Sequence, residues 1–172
     1  MDLKNMTTEE KLDLALNPYT PEDVLRELNK DNDWHVRMYV ANNTNTPVDA
    51  LRELAKDKSW VVRRNVAYHP NTPGDILREL AKEKNEEIRL EVAENPNTPL
   101  DLLQDLAKDK NPDVRMYVAR NPKSSTKLLV SVFEYEKRLR EPDEDILEAL
   151  YTNANLPIFV KRVIETLFGD ML

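Results

Sequence analysis

The sequence predicts an all-α fold, an α-solenoid built from tandem 26-residue repeats of two short helices. Three observations support this prediction: a five-residue turn recurs at constant spacing, each repeat carries two helix-start signals, and the composition favours helix over strand. The 172-residue chain has only two glycines, whereas Leu, Ala, Glu, Lys and Arg are abundant. Such a chain has little need of tight strand turns and a high helix propensity.

The recurring turn reads NPYTP at Asn17, and it returns as NTNTP at Asn43, HPNTP at His69 and NPNTP at Asn95. Each copy begins 26 residues after the previous one, and a weaker copy, NPKSS, follows at the same spacing at Asn121. Self-similarity at a fixed period is the signature of repeat proteins. The turns divide the chain into four clear repeats and one divergent repeat, at residues 17–42, 43–68, 69–94, 95–120 and 121–152.

The first helix of each repeat, helix A, begins at a Thr-Pro-x-acid step. In the first repeat we expect the hydroxyl of Thr20 to cap the helix, Pro21 to occupy its first position and Asp23 to meet the free N–H groups of its first turn. The equivalent threonines start helix A in the later repeats: Thr46, Thr72 and Thr98. Apolar residues at helical spacing, such as Leu25 and Leu28, predict one buried stripe.

The second helix, helix B, begins after residues that are good N-caps: Asp33, Ser59, Asn85 and Asn111. Its inward stripe in the first repeat is Val36, Val40 and Ala41, and equivalent residues recur in each later repeat. Helices of about ten residues are too short to be stable alone in water. Because each helix has one apolar face, neighbouring repeats must stack, and we expect a single solenoid domain over residues 1–172.

Both ends of the chain carry candidate capping helices. Residues 1–16 contain Thr7 and Glu10 at capping-box spacing and predict a helix B without its helix A partner. Residues 153–172 predict a capping helix with an apolar stripe that ends at Gly169: Phe159, Val160, Val163, Ile164, Leu167 and Phe168. The turn at Asn153 follows Asn121 by 32 residues, which indicates an insertion in the divergent repeat, most simply a lengthened helix.

The string LAKDKSWVVRRNVAYHPNTPGDIL and its copies resemble the leucine-rich repeat variant family over Leu14 to Leu129. The resemblance implies a right-handed superhelix of paired short helices, with some 3₁₀ character in one helix of each pair, and a relationship to HEAT-like repeats. One branch of that family bears a cysteine cluster for an iron–sulfur centre. The absence of cysteine prevents that cofactor from being carried over, and we expect no cofactor and no metal site.

Composition excludes several function classes. Without cysteine there is no disulfide framework, thiolate nucleophile or cysteine-ligated metal. The formal net charge of −7 opposes the phosphates of nucleic acid and anionic lipid surfaces, so we expect neither as a partner. The first residues, MDLKNMTTEEKLDL, lack the apolar core of a signal peptide, and no stretch has the length of a membrane span. We therefore expect a soluble cytoplasmic protein.

An arginine series lies beside the apolar stripe of helix B at Arg37, Arg63, Arg89 and Arg115. These guanidinium groups have the chemistry to bind phosphates or carboxylates. Each follows an acid by six residues, which favours a structural ion pair within a repeat or between repeats. Of the two histidines, His69 replaces the turn asparagine and predicts a turn role, whereas His35 lies on the outward side of helix B.

The outward positions of helix A repeat nearly the same charges, whereas those of helix B change from repeat to repeat. Aromatic, methionine and arginine side chains of the kind that helix B presents are enriched at protein interfaces. The alternatives are that Trp34 and Trp60 cover the preceding helix A and that Met38 and Met116 are partly buried. The candidate protein-binding residues are Trp34, His35, Met38, Tyr39, Trp60, Arg64, Tyr68, Leu90, Met116 and Tyr117.

These features predict a non-catalytic scaffold that binds an unidentified protein or peptide through the outward face of helix B. We expect no enzyme, because the sequence has no Gly-rich phosphate loop, nucleophile elbow or set of catalytic partners around its histidines. The alternatives are a nucleic-acid-binding protein, a HEAT-like enzyme of the DNA glycosylase or bilin lyase type, or a self-assembling structural protein. A monomer is expected rather than a homo-oligomer.

Overall fold

The computed structural model of the protein describes residues 3–169, and within that range it is all-α, with no strand. The chain divides into two compact units, Met1–Asn97 and Thr98–Leu172. No helix in the described range is long and apolar enough to cross a membrane. The predicted all-α solenoid of two-helix repeats is confirmed within each unit.

The first unit contains a short 3₁₀ helix at Leu3–Asn5 followed by alternating B-type and A-type helices. The helices are α1 (Thr8–Leu16), α2 (Glu22–Leu28), α3 (Trp34–Asn42), α4 (Val48–Leu54), α5 (Trp60–Tyr68), α6 (Gly74–Leu80) and α7 (Glu86–Glu94). The B-type helices α1, α3, α5 and α7 pack one against the next, and A-type helices pack against neighbouring B-type helices. The predicted stripe of Val36, Val40 and Ala41 is fully buried.

The second unit contains α8 (Leu100–Leu106), α9 (Pro112–Arg120), α10 (Thr126–Glu136), α11 (Glu144–Thr152) and α12 (Ile158–Phe168). Its B-type helices α9 and α11 pack together. The inserted residues of the divergent repeat lengthen α10 to 11 residues and also extend the loop before α11. Val160 and Ile164 of α12 are buried, and this helix packs against α11. Residues 170–172 of the predicted capping segment lie outside the described residues.

All four predicted N-cap residues of helix B stand at the N-cap position, but the side chain of Ser59 makes no capping hydrogen bond. Asp33, Asn85 and Asn111 each accept a hydrogen bond from a main-chain N–H in the first turn, and Pro112 occupies the first helical position. At the N-terminus, Thr7 and Glu10 form the predicted capping box. These polar side chains satisfy N–H groups that a helix leaves without main-chain partners.

The threonine at the start of helix A has a different role from the predicted cap. The residue at the N-cap position is proline, at Pro21, Pro47, Pro73 and Pro99, and it makes no capping hydrogen bond. The buried threonine hydroxyl instead donates to a carbonyl near the end of the preceding B helix, as Thr20 does to Leu14 (2.6 Å). The hydroxyl therefore closes the turn between repeats by satisfying a carbonyl at a helix C-terminus.

The family resemblance implied some 3₁₀ character in one helix of each pair, and helix A shows it at its C-terminal end. The A-type helices α2, α4, α6 and α8 are α-helical, and hydrogen bonds of the 3₁₀ type occur mainly in the turns after them, as from Lys30 N–H to the Glu27 carbonyl. Such i to i+3 bonds tighten the last turn of a short helix.

The turn asparagines connect consecutive repeats. The side-chain amide of Asn43 donates to the carbonyl of Ala15 (2.7 Å) in the capping helix α1 and to that of Asn17 (2.9 Å) in the preceding turn. Its Oδ1 accepts from the N–H of Asn45. Asn95 and Asn153 make the equivalent bonds two and four turns further along the chain. Each buried amide thus satisfies two carbonyls at the end of a B helix.

His69 occupies one turn of this series, as its position predicted. Its Nε2–H donates to the carbonyl of Asn43 (2.9 Å), and its Nδ1 accepts from the N–H of Asn71. Burial lowers the pKa of His69 below its ordinary value near 6.5. The ring is therefore a neutral structural group that replaces the asparagine amide.

The arginine series forms ion pairs between repeats, which confirms the structural role for three of its members. Arg37 Nε and Nη2 bind the carboxylate of Asp57 (Nη2 to Oδ1, 3.0 Å), Arg63 binds Glu83, and Arg115 binds Glu136. The acid six residues before each arginine interacts through its main-chain carbonyl instead, as Asp57 does with Nη1 of Arg63 (2.7 Å). For Arg37, Arg63 and Arg115 the predicted ion pair is therefore formed between repeats and not within one repeat.

We expect Arg37→Met and Asp57→Asn to show a coupling energy of about 1–3 kcal/mol in a double-mutant cycle, because the ion pair is buried and bidentate. Urea denaturation of the two single variants and the double variant measures this coupling. The matched control is the cycle of Asp57→Asn with Arg63→Met, where a coupling below about 0.5 kcal/mol is expected because the main chain makes the contact. Equal coupling in the two cycles contradicts the assignment.

Candidate functional site

The outward sides of α3, α5 and α7 form one face of the first unit, because these helices pack side by side. We call this surface the B face. It carries eight of the ten predicted binding residues: Trp34, His35, Met38, Tyr39, Trp60, Arg64, Tyr68 and Leu90. Each of them is exposed or half-buried. The face is therefore accessible along three consecutive helices.

The two tryptophans of the B face are exposed, by 37% for Trp34 and 43% for Trp60. They occupy equivalent positions at the starts of α3 and α5. The Trp34 ring lies beside the His35 ring, with centroids 3.8 Å apart, and His35 Nδ1 lies 2.9 Å from Asp33 Oδ1. Both rings therefore present surface to solvent, and the remainder of each side chain is covered by the protein.

The remaining predicted residues, Met116 and Tyr117, lie on α9 in the second unit. Met116 is only 9% exposed, so it differs from the expected outward contact and belongs with the packed side chains. Tyr117 is half-buried, and the guanidinium of Arg120 lies 5.9 Å from its ring centroid. Of this pair, Tyr117 alone presents surface for a partner.

A cavity of about 490 Å³ opens where the C-terminal ends of α5 and α7 meet the following turns. Tyr68 and His69 line one side, Glu91 and Glu94 line another, and Asn42 at the end of α3 completes the wall. The Tyr68 ring is 56% exposed at this site. The cavity thus combines an aromatic surface with two carboxylates.

Glu91 is the most unusual group in the cavity wall. It is only 5% exposed, and Nε and Nη2 of Arg64 on the neighbouring helix both contact its Oε1, at 2.8 and 2.6 Å. Burial raises the pKa of Glu91 above its ordinary value near 4.5, the charges of Glu94 and Glu87 add to the rise, and Arg64 opposes it. A buried acid with a perturbed pKa in a cavity is a candidate functional group.

The A-type helices carry charges that bind one another. Arg26 on α2 contacts Asp49 on α4 (Nε to Oδ2, 2.7 Å), and Arg52 on α4 contacts Asp75 on α6 (2.6 Å). The sequence predicted an ordinary solvated surface here, and these cross-repeat pairs were missed. Because these ion pairs recur from repeat to repeat, the outward positions of helix A keep the same charges. The outward positions of the B face do not.

Sequence reasoning also missed Glu91 and Glu94 as site residues. Both lie at outward positions of helix B, where the residue type differs from repeat to repeat. That variation, which indicated the other candidate binding residues, is also the sequence signal for these two. Their acidic side chains suggested solvated faces, because repeated acids on short helices are normally exposed. Among residues 3–169 there is no cluster of His, Asp and Glu suited to a metal ion.

The geometry of both units defines the class of the protein as an α-helical repeat protein of the solenoid type. Family models described as leucine-rich repeat variant domain and leucine rich repeat variant match residues 87–132 and 60–82, respectively. Over these residues the chain is similar to the leucine-rich repeat variant family. No curated protein matches the sequence.

Two solved structures resemble the chain. A protein described as a leucine-rich repeat variant with a novel repetitive structural motif is 26% identical, with a TM-score of 0.63 over 84% of this chain and 55% of that one. The YibA protein of Escherichia coli is 20% identical, with a TM-score of 0.56 over 96% of this chain and 65% of that one. The second likeness concerns the fold alone. The chain spans about half the length of the first relative.

The raised pKa of Glu91 predicts a specific pH dependence of stability. The unfolded chain releases this proton at a lower pH than the folded chain, so stability falls as pH rises between the two pKa values. Relative to Glu91→Gln, the wild type should therefore lose stability as pH rises above the ordinary glutamate pKa near 4.5. Urea denaturation at a series of pH values from there upward measures the difference. Glu86→Gln, an exposed change on the same helix, is the control, and parallel curves for wild type and Glu91→Gln contradict the prediction.

Proposed function

We propose that the chain is a non-catalytic scaffold that binds a protein or peptide through the B face. The observation that carries this proposal is the exposure of Trp34, Trp60 and Tyr68 on neighbouring packed helices. Large aromatic side chains gain the most free energy when a partner removes them from water. Their position on one continuous face gives that partner several anchors.

The contrast with helix A supports the choice of face. On helix A, Arg26 and Arg52 already bind acids of the next repeat, so a partner would have to replace existing ion pairs. On the B face, the exposed rings of Trp34 and Trp60 contribute apolar surface that a partner can cover. A rigid stack of short helices also presents its side chains with little loss of conformational entropy on binding.

The nucleic-acid and enzyme alternatives receive less support. Nucleic acid requires a basic surface, whereas Glu91 and Glu94 place carboxylates in the main cavity of the B face. An enzyme of the glycosylase or lyase type requires a general acid or base with reacting partners. His69 is buried as a neutral turn residue, and the His35 ring lies beside Trp34 with its Nδ1 near Asp33. Binding therefore explains more of the observed groups.

The test of the B face is the triple variant Trp34→Ala, Trp60→Ala and Tyr68→Ala. These side chains are exposed, so we expect the variant to fold, and we expect it to lose at least about tenfold in affinity for partners captured from a cell extract. Quantitative mass spectrometry of the captured proteins, followed by titration with the purified partner, measures the loss.

The matched control removes exposed apolar side chains elsewhere, by Tyr19→Ala with Val48→Ala. Circular dichroism and thermal unfolding establish that both variants are folded. Unchanged affinity of the triple variant contradicts the proposed face, and so does an equal loss in the control.

Self-association is a second candidate function, because α12 has an apolar side that remains exposed. Val160 and Ile164 pack inward, but four large side chains on the same helix face solvent: Ile158, Phe159, Val163 and Leu167. Phe159 is 66% exposed. A second copy that presents the same helix would bury both surfaces in a two-fold dimer.

We expect sedimentation velocity at tens of micromolar protein to show a dimer that Phe159→Glu with Val163→Glu converts to monomer, because the substituted side chains are exposed and the fold remains. Ile164→Glu is the contrasting variant, since it places a charge in the packed side and should unfold the helix. If the wild-type protein is monomeric under these conditions, the result contradicts self-association as a function.

A further inference from the structure

The cavity at the ends of α5 and α7 contains a carboxylate oxygen that the protein leaves without a donor. Both contacting nitrogens of Arg64 bind Oε1 of Glu91, and no donor within residues 3–169 reaches Oε2. Glu91 is nevertheless almost fully buried. Its Oε2 is open to the cavity, so a ligand or water there can supply the hydrogen bond that residues 3–169 do not.

The charges around the cavity favour a cation. Glu91 and Glu94 both line it, and Glu87 is near enough for its charge to act on Glu91. Arg64 supplies one positive charge against these three carboxylates, and His69 is neutral. The local balance is therefore negative, and a cationic group entering here meets an uncompensated field.

The helix ends add to this field. The cavity lies at the C-terminal ends of α5 and α7, with Asn42 from the C-terminal end of α3. Main-chain carbonyls at a helix C-terminus carry the negative end of the helix dipole. Three successive B-type helices of the same polarity therefore place partial negative charge at one site, which favours positive side chains and disfavours anionic ones.

Tyr68 supplies the apolar component of the cavity. Its ring is exposed and lines the cavity beside Glu91 and Glu94. A flat aromatic ring attracts a cation above its face, and guanidinium groups stack on it more readily than ammonium groups do. A volume of about 490 Å³ lies within the range of ordinary ligand sites and is sufficient for one long side chain with accompanying water.

We propose that this cavity binds an arginine side chain of the partner protein or peptide, with the guanidinium stacked on Tyr68 and hydrogen-bonded to Oε2 of Glu91 and the carboxylate of Glu94. This assignment rests on the proposed binding function of the B face and specifies the chemistry of its partner. Arginine fits better than lysine because its planar group donates several hydrogen bonds in fixed directions and stacks on the ring.

The direct test uses a small probe with the full chain. N-acetyl-arginine amide carries the guanidinium without a terminal charge, and N-acetyl-citrulline amide has nearly the same shape without the positive charge. In ¹H–¹⁵N correlation spectra, we expect the arginine probe to shift the amide signals of Tyr68, Glu91 and Glu94, and we expect the citrulline probe to leave them unchanged. The shifts should weaken as sodium chloride is added, because the attraction is electrostatic.

The test variant is Glu91→Gln with Glu94→Gln, which keeps side-chain size and removes both charges. We expect it to reduce the arginine-induced shifts at Tyr68 at least about tenfold, the scale of losing a charge-assisted hydrogen bond. Glu86→Gln, an exposed change at the start of the same helix, should leave the shifts intact. The proposal is overturned if the arginine probe gives no shifts at the cavity, if citrulline gives equal shifts, or if the double variant responds as the wild type does.

A displayed library of random peptides separates this proposal from the general binding function. Selection on the wild type should enrich arginine at one peptide position, and selection on the Glu91→Gln, Glu94→Gln variant should lose that enrichment. Peptides that bind the B face without a basic residue leave the binding function intact and overturn the arginine site. Probe shifts at the cavity without any selected peptide support the site and count against peptide binding by the B face.

Discussion

The stacking of this protein depends on the side-chain amide at the first position of each inter-repeat turn. A B helix ends with carbonyls that have no helical partner, and they are buried where the next repeat packs. The amide of Asn43 binds two of them at once, those of Ala15 and Asn17. Because an unpaired buried carbonyl is costly, this amide holds the spacing between repeats. His69 preserves one of the two contacts with a neutral ring, which its burial keeps uncharged.

Two further interactions reinforce the same stack from other directions. The threonine hydroxyl of each turn, as in Thr46 with Val40, satisfies another carbonyl of the helix end. The Arg37 and Asp57 ion pair joins consecutive repeats near the starts of the B helices, and Arg37 Nη1 also binds the Asp31 carbonyl, so its buried charge is well satisfied. Since these groups and the apolar stripes hold the repeats together, the outward positions of helix B are free to differ without loss of the fold.

That freedom links the architecture to the proposed binding role. The residues that vary between repeats produce exposed aromatic rings at the starts of α3 and α5 and an acidic cavity at the ends of α5 and α7. The cavity is bounded by the same turn that contains His69, so the group that secures the stack also forms part of the site wall. Glu91 keeps one carboxylate oxygen without a donor from residues 3–169, and this oxygen opens on the cavity. A rigid frame with an acid open to a cavity suits recognition of a positively charged group.

Helix order, repeat length, the caps Asp33 and Asn111 and the buried stripes were predictable from the sequence, because they depend on residues within a few positions of one another. The tertiary structure decided which groups meet across repeats. It assigned the Thr20 hydroxyl to a carbonyl rather than a helix start, and it buried Met116. It also joined Arg64 to Glu91 across 27 positions of sequence and left one oxygen of that acid free. Residues one repeat apart become neighbours only when the helices stack, so their pairing and burial depend on packing geometry that local periodicity does not contain.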